Sequence, residues 1–494
     1  MSYINYSFLL GAFASILIYY LVPLNIRWII LLVFSVLFYL ESGIAAFFVV
    51  LLSTVITWAG AILIENTERK NRRKRRLILT AAVVALIGFL ILVKASLYTN
   101  KWLPAYLIPL GVSYYTFSLI SYIADVYWGK DHAEKNIFKL ALFVLFFPKI
   151  VEGPISRHRT LGPALLEGHR FSVRNLSFGV QLMIWGYFKK LVIADRAGIF
   201  VNNVFAQTGD SRPGGAVLLL AVILSALSLY CDFSGCMDIA RGVSQTFGID
   251  LDRNFNHPFF ARSAAEFWRR WHLTLGAWFK DYVYMPIVIS PKLIKLSGRV
   301  RKKWGKRAGK AIMNIIPLTV VWFLTGLWHG TGINYLVWGF YWWLIIVVSD
   351  TFSPEIQKLT AFLHINTEAP TWKLFQTVRT FAIFCGARLI SSQTSMGAVR
   401  EILQGIIHSP RLWELFNGTL YSFDLKQYDF LILAVSLAFL WLISMLQEKG
   451  SVREAIAGWS CIPRWIFYGI APAVVILLGV YGSGFTSNFA YQFF

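Results

Sequence analysis

Long apolar runs recur along the whole chain and decide which solvent it must fold in. They fall at 8–22, 28–40, 43–64, 77–93, 106–124, 137–151, 178–201, 216–230, 312–324, 335–348, 374–390, 430–446 and 466–480. A bilayer crossing takes about 20 apolar residues, fewer where a helix is short or re-entrant. Hydrophobic residues make up 57% of the chain and charged ones only 15%, against about 25% charged in a soluble protein. These runs predict an all-α polytopic membrane protein with about 11–13 membrane segments, some of them re-entrant helices around a central polar chamber. No Ser/Gly-rich or Pro-rich linker divides residues 1–494 and no internal repeat is visible, so a single integral domain is expected. Within it, 1–104 read as N-terminal spans, 105–350 as the core, and 351–494 as C-terminal spans and tail. The first run has no basic flank before it and no small-residue cleavage site after it, so it reads as a retained helix.

The net charge of +22 is concentrated. Arg69, Lys70, Arg72, Arg73, Lys74, Arg75 and Arg76 follow the third run. Lys292, Lys295, Arg299, Arg301, Lys302, Lys303, Lys306, Arg307 and Lys310 form a second block with no acid among them. Short Lys/Arg-rich loops stay cytoplasmic, which places both blocks inside and the N-terminus outside. Attraction to anionic membrane lipid explains the blocks, and docking of an acidic acyl carrier is the alternative. No basic-aromatic module outside the apolar runs supports nucleic-acid binding. Cys231, Cys236, Cys385 and Cys461 form no CxxC and fit free thiols.

Within this apolar background, ionisable groups stand out. His329 lies in Thr325-Gly326-Leu327-Trp328-His329-Gly330-Thr331-Gly332, between two apolar runs. An ionisable side chain at membrane depth must face protein or a watery cavity, and it marks a functional site by default. The glycines around it are expected to break the helix and admit a close neighbour. Residues 257–286 are the second cluster, rich in Trp, Arg and His. Ser263 with Glu266 three residues on has capping-box spacing. The helix so begun is expected to carry Trp268, His272 and Leu275 on one face, with Arg269 near His272. Glu266, Trp268, Arg269, Arg270, Trp271 and Trp328 would line a polar chamber at the cytoplasmic side; an aromatic belt at the headgroup boundary is the other reading. Upstream, Asp232, Ser234 and Asp238 put two carboxylates in apolar surroundings, where ion pairing is expected, with Arg241, Arg262, Arg269 and Arg270 as partners.

Several of these stretches resemble a known family. They are Pro109-Leu110-Gly111-Val112-Ser113-Tyr114-Tyr115-Thr116-Phe117 with Asp125-Val126-Tyr127, Phe147-Pro148-Lys149-Ile150-Val151-Glu152-Gly153-Pro154-Ile155, and Gly186-Tyr187-Phe188-Lys189-Lys190 with Ala194-Asp195. Asp232-Phe233-Ser234-Gly235, Asn254-Phe255, Glu266-Phe267-Trp268-Arg269-Arg270-Trp271-His272 and Thr325-Gly326-Leu327-Trp328-His329-Gly330 follow in order. The chain is similar to the bacterial membrane-bound O-acyltransferases, in the branch of the alginate O-acetyltransferase and the teichoic-acid D-alanyl transferase. The resemblance implies that His329 is catalytic and His272 the second important position; Asp232, Ser234, Glu266, Trp268, Arg269, Arg270, Trp271 and Trp328 are the candidates for contacting substrate. Two departures stand out: Cys231 and Cys236 where relatives often have Tyr or Phe, and Ile287-Val288-Ile289-Ser290-Pro291 where many have a Gly-Gly-Asn stretch. The second adjoins the presumed donor entrance and leaves donor identity open.

Acyl transfer from a thioester to a hydroxyl suits these residues. A neutral imidazole, of pKa about 6.5, takes the hydroxyl proton at pH 7. A tetrahedral oxyanion needs a donor, for which His272 and Arg269 are candidates. A thioester is already activated, and no His/Cys/Asp/Glu spacing here suggests a metal. The expectation is an O-acyltransferase of the bacterial plasma membrane without a tightly bound cofactor. Its donor would be an acyl thioester, acetyl-CoA or the phosphopantetheine of an acyl carrier protein. The acceptor would be a cell-envelope polysaccharide, reached directly or through an extracytoplasmic esterase-like (SGNH-like) partner. D-alanyl transfer to teichoic acid is the alternative within the class. A flippase for envelope precursors is the rival outside it, although such folds tend to show repeated halves. Tyr491, in the aromatic end Phe489-Ala490-Tyr491-Gln492-Phe493-Phe494, resembles an acyl-relay tail; a membrane-boundary belt is the other reading.

Overall fold

The computed structural model describes residues 3–99, 101–330 and 332–481. Most of these residues are helical, and among them strand pairing is limited to one isolated antiparallel bridge between Phe255 and Trp271. Seven helices are long and apolar enough to cross a membrane: Ile44–Asn66, Arg72–Thr99, Gly215–Thr246, Pro291–His329, Ile333–Thr351, Gln427–Lys449 and Cys461–Leu478. Tyr6–Leu21 and Leu24–Leu40 are apolar but shorter. Other runs are helical yet short or interrupted. The run at 106–124 becomes the 17-residue helix Val112–Trp128. The run at 137–151 stops being helical after Leu145, and that at 178–201 passes through a π-helical stretch, Phe188–Ala194. Irregular backbone within apolar surroundings is tolerated where protein covers it.

The helix Ile44–Asn66 shows how the spans are built. Its inner face carries Ala46, Val50, Ser53, Thr54, Thr57, Gly60, Ala61 and Ile64, a spacing of three to four residues that repeats once per turn. Its outer face carries Phe48, Leu52, Val55 and Leu63. Small and hydroxylated residues face protein and bulky apolar ones face outward, the pattern of helices packed in lipid. The inner hydroxyls return their protons to the helix itself: Thr54 Oγ1 donates to Val50 O at 2.8 Å and Thr57 Oγ1 to Ser53 O at 2.9 Å.

The described chain sorts into two compact units, each discontinuous in sequence. The first holds residues up to Asp195, Tyr230–Arg253, and those from Met445 onward. At its centre, every residue from Val112 to Val126 is buried. Helix Val173–Tyr187 packs closely against the second half of Gly215–Thr246. A methyl group added at Gly186 would lie 2.6 Å from Gly235 O, and one at Gly179 would lie 2.6 Å from Gly242 O. Glycines at those points let the two backbones touch.

That approach, with the π-helical stretch that follows, carries Lys189 and Lys190 inward. Lys190 Nζ donates to Asp232 Oδ1 at 2.5 Å and pairs with Asp195 Oδ1 at 2.9 Å. Lys189 Nζ donates to Ser234 Oγ at 2.9 Å and to Asp238 Oδ2 at 2.7 Å. Asp232 and Asp238 are therefore ion-paired as their apolar setting required, but their main partners are lysines. Of the arginines expected to pair with them, Arg241 lies 3.6 Å from Asp238. The sequence offered no signal for this, because a π-helical turn shifts which residues face a neighbour.

The second unit comprises Arg196–Leu229 and Asn254–Ser444. The basic block at 291–310 forms a helix that turns at Gly305, whose φ of 87° only glycine adopts readily. Two helices result, 291–304 and 306–329. They are clasped by Ser297 Oγ donating to Gly309 O at 2.9 Å. Helix 306–329 packs against Ile333–Thr351 through Gly326 and Gly339, where added methyl groups would sit 2.7 Å from Tyr335 O and 2.6 Å from Trp322 O. Ile333–Thr351 is bound in turn to Pro370–Ser392. Tyr341 Oη donates to Ile383 O at 2.9 Å, and Asn334 Nδ2 donates to Gln393 O.

Removing one partner of a buried ion pair leaves an uncompensated charge, which costs about 3–5 kcal/mol. Lys190→Met is expected to destabilise the protein by that amount, and Lys302→Met, at an exposed position, to do nothing measurable. Thermal unfolding of the detergent-purified variants checks this; equal midpoints for the two would show that Lys190 is not holding the two aspartates.

Candidate active site

Ser263 caps the helix Ala264–Trp268, its hydroxyl accepting from Glu266 N at 3.1 Å. The Glu266 carboxylate reaches back to accept from Arg262 N at 2.9 Å, one residue beyond the usual capping-box partner. Its other oxygen accepts from Arg270 Nε at 3.0 Å. The expected longer helix does not form. It stops after Trp268, so Trp268, His272 and Leu275 do not share one helical face.

The break comes from a pairing with residues 254–256. Asn256 N donates to Arg270 O at 2.9 Å and Leu273 N to Asn254 O at 3.0 Å, on either side of the Phe255–Trp271 bridge. This draws the chain out of helical register. His272 then takes a left-handed conformation, φ 47° and ψ 53°, and a new helix, Leu273–Phe279, begins after it. A side chain in that region costs roughly 1–3 kcal/mol and persists only where its surroundings enforce it.

Asn254 does the enforcing. Its Oδ1 accepts from Thr274 N at 3.0 Å and from Thr274 Oγ1 at 2.6 Å, and lies 3.3 Å from His272 Nδ1. A backbone N–H can only donate, so Thr274 N fixes which end of the Asn254 amide is oxygen. Nδ1 of His272 is therefore the protonated nitrogen, and Nε2 carries the lone pair. Burial pushes the His272 imidazole down to about 3, because removal from water disfavours the cation. Sequence reasoning quoted Asn254 only within a motif and gave it no role, since its partners lie 18 and 20 positions away.

His329 is the last residue of helix 306–329 and is buried. Its ring stands edge-on to Trp338 at a centroid distance of 4.7 Å and to Trp328 at 4.8 Å. Trp328 is also 6.0 Å from the ring of His272, so this one indole stands beside both imidazoles. The expected helix break and close approach both occur, at different glycines. Gly326 sits inside an unbroken helix, and its role is the close packing described above. Gly330 ends the helix, and a methyl group there would come within 2.3 Å of the Tyr335 ring.

Trp268 is packed among Trp322, Trp342 and Trp338, at 4.9, 5.1 and 5.8 Å. Trp271 is enclosed by Phe384, Phe255 and Phe267, at 4.9, 5.0 and 5.5 Å. These rings form the wall behind the histidines. Glu266 and Arg270 pair with each other on the half-buried side of the short helix. Arg269 is exposed, and the helix break separates it from the buried His272. Asp232 and Ser234 belong to the first unit, engaged with Lys190 and Lys189. Tyr491 lies outside the described residues.

Two buried imidazoles near one tryptophan, within an array of apolar helices, mark the candidate site of a polytopic membrane protein. Residues 131–298 match the membrane-bound O-acyltransferase (MBOAT) family, a stretch that includes His272. The chain belongs to that family and is a multi-pass membrane protein. It is 30% identical over 360 residues to the protein named "Probable alginate O-acetylase AlgI" of Pseudomonas syringae pv. tomato, covering 71% of this chain and 62% of the relative. It is 29% identical over 281 residues to the peptidoglycan O-acetyltransferase of Helicobacter pylori, covering 51% and 49%. It is 31% identical over 239 residues to the teichoic acid D-alanyltransferase of Bacillus subtilis, covering 47% and 56%. The chain thus spans about half to three-fifths of the length of these relatives.

The geometry at His272 has a consequence for stability. The unfolded chain takes up a proton at this histidine below about pH 6.5, and the folded chain does not. Because the folded pKa is lowered, stability falls as pH drops through about 6.5, by up to roughly 1.4 kcal/mol per pH unit. His272→Asn is expected to show a shallower loss. Melting curves from pH 8 to pH 5 for both proteins test this, and parallel curves would count against a neutral, buried His272.

Proposed function

We propose that this protein is an O-acyltransferase of the bacterial plasma membrane. It moves an acyl group, acetyl in the first instance, from a cytoplasmic thioester to a hydroxyl destined for an extracytoplasmic polysaccharide. The observation that carries this reading is the pair of buried imidazoles that both neighbour Trp328. The names of the relatives support it: two act on envelope or exopolysaccharide as O-acetyl transferases and one is a D-alanyl transferase. D-alanyl transfer to teichoic acid is the second reading, favoured by that last relative. Acetyl-CoA and a carrier-bound phosphopantetheine both fit as donors, and an esterase-like extracytoplasmic protein fits as a relay partner.

In this proposal His329 is the general base. Its imidazole takes the proton from the acceptor hydroxyl as the oxygen attacks the thioester carbonyl. The tetrahedral intermediate collapses with release of the thiolate, which takes the proton from His329. His272 plays an orienting role. Its N–H faces Asn254 and its lone pair accepts, so it holds a substrate hydroxyl or amide N–H and does not donate to the oxyanion. The indole N–H of Trp328, a donor beside both rings, is the assigned oxyanion contact. The basic blocks at 69–76 and 291–310 lie on the cytoplasmic side and the N-terminus outside.

His329→Ala is expected to lower acyl transfer by a factor of about 100 or more, the typical contribution of a general base. His272→Ala is expected to cost less and to raise KM. Transfer assayed from radiolabelled thioester in proteoliposomes decides the matter, and more than about a tenth of wild-type rate in His329→Ala would sink the base assignment. Transport of an intact glycan without acylation would favour the flippase reading. As a relay, Tyr491 would accept the acyl group on its phenol oxygen before onward transfer. Tyr491→Phe then abolishes polysaccharide acylation in cells, whereas a tyrosine that only anchors the tail leaves mass-spectrometric acylation unchanged.

A further inference from the structure

Three arginines reach one small region of the first unit from separate parts of the chain. Asp238, Arg241 and Gln245 follow one another at intervals of three and four residues, so they share a face of the helix Gly215–Thr246. Arg241 Nε donates to Leu251 O at 3.2 Å, which folds the segment after that helix back onto it and brings Arg253 alongside. Arg453, in the short helix Val452–Ala457, donates through Nη1 to Gln245 Oε1 at 2.8 Å and to Phe178 O at 3.1 Å. The charges of Arg253 and Arg453 act on Arg241, and that of Arg253 acts on Arg453. Arg241 and Arg453 are half-buried and Arg253 is exposed, so the cluster has an accessible edge.

The two half-buried arginines keep their protein contacts; among the described groups, what is short is negative charge. Asp238 lies 3.6 Å from Arg241 but also pairs with Lys189 at 2.7 Å. Asp250 acts on both Arg241 and Arg453. Glu454 acts on Arg453 but is itself bound to Arg174, and Asp252, beside Arg253 in the chain, acts on a further cation, Lys149. Four cations, Lys189, Arg241, Arg253 and Arg453, thus share Asp238 and Asp250, an excess of two positive charges. Removal from water pushes the Arg453 guanidinium below its ordinary range, and the repulsion of Arg253 adds to this. A purely structural network would balance its charges. A phosphate monoester carries about −1.5 to −2 at pH 7 and presents three acceptor oxygens, which matches both the excess charge and the number of guanidinium forks. We propose that Arg241, Arg253 and Arg453 form a binding site for a phosphate monoester. Lys449, Arg453 and Arg464 make the connection between the last two spans basic, which puts the site on the cytoplasmic side. Two sources present this chemistry there: the ribose phosphate of a coenzyme A thioester and the headgroup of an acidic phospholipid. The first source rests on the acyltransferase reading; the phosphate site itself does not.

The test is binding to the purified full chain in detergent and phosphate-free buffer, with two matched pairs of probes that differ by one phosphate monoester. They are coenzyme A against dephospho-coenzyme A, and phosphatidic acid against diacylglycerol. In at least one pair, wild type is expected to bind the phosphorylated member about 10-fold more tightly or better, the factor that corresponds to one hydrogen bond to a charged group. The pair that discriminates identifies the source, and discrimination in both shows a site open to either. Arg253→Gln and Arg453→Gln are each expected to cut that ratio by about threefold or more. Lys449→Gln, which removes an exposed cation close by in the chain, is expected to leave it unchanged. Because the readout is a ratio within each variant, partial loss of folded protein does not affect it. If Arg453→Gln yields no monodisperse protein, the exposed Arg253→Gln decides alone. No discrimination by wild type in either pair, an undiminished ratio in Arg253→Gln, or an equal loss in Lys449→Gln overturns the proposal. Acyl transfer by a wild type that does not discriminate phosphate overturns the site alone. Phosphate discrimination without acyl transfer overturns the acyltransferase reading and leaves the site standing.

Discussion

Polar groups in the apolar interior of this molecule have little water to fall back on, and protein supplies most of their partners. In water an unpaired lysine or hydroxyl costs little; in hydrocarbon each unmet group costs several kcal/mol. That single constraint explains the positions of the lysines, the hydroxyls and the site asparagine alike. Lys189 and Lys190 are buried and carry three aspartates and a serine between them. Threonines on the spans bond their own helix. Asn254 gathers three donors with one oxygen and thereby sets the conformation of His272. Satisfying one group fixes the place of the next, so the polar interior behaves as a connected scaffold.

The two histidines are held by different means, and their chemistry differs accordingly. His272 is pinned by a non-local pairing that fixes its backbone, its tautomer and its neutrality. A ring so held is suited to directing a partner. His329 sits at a helix end with its ring against the flat faces and edges of indoles, contacts that fix the ring plane. The proposed division between an orienting imidazole at His272 and a proton-transferring one at His329 is in keeping with these different surroundings.

Much of this was legible in the sequence because it is local. Apolar runs of about 20 residues announced spans, and the Ser263–Glu266 spacing announced a cap that forms. His329 and His272 stood out because ionisable residues are rare in such surroundings. What was not legible depends on distant residues. The helix through Trp268 and His272 has good periodicity, but the strand-like pairing with Asn254 and Asn256 outweighs it. The lysine partners of Asp232 and Asp238 lie more than 40 positions away, behind a π-helical turn that period-3.6 reasoning does not anticipate. Gly330 ends its helix as expected, but the particular neighbours that Gly326 and Gly330 admit lie across the hairpin and cannot be seen from the sequence.

The π-helical stretch Phe188–Ala194 has an implication for how such a chain can change over time. A π turn holds more residues than the α turn it replaces. Deleting one residue there would wind the helix back to ordinary pitch with the flanking helices still in register, and would move only the residues within the turn onto other faces. Lys189 and Lys190 would swing away from their aspartates while the preceding glycines kept their contact. Insertions and deletions are the common currency of divergence in loops, but here a single codon lost would uncouple two sets of contacts that must coincide. This short stretch is therefore expected to drift in composition yet keep its length, and its length can serve as an alignment anchor when the surrounding residues no longer agree.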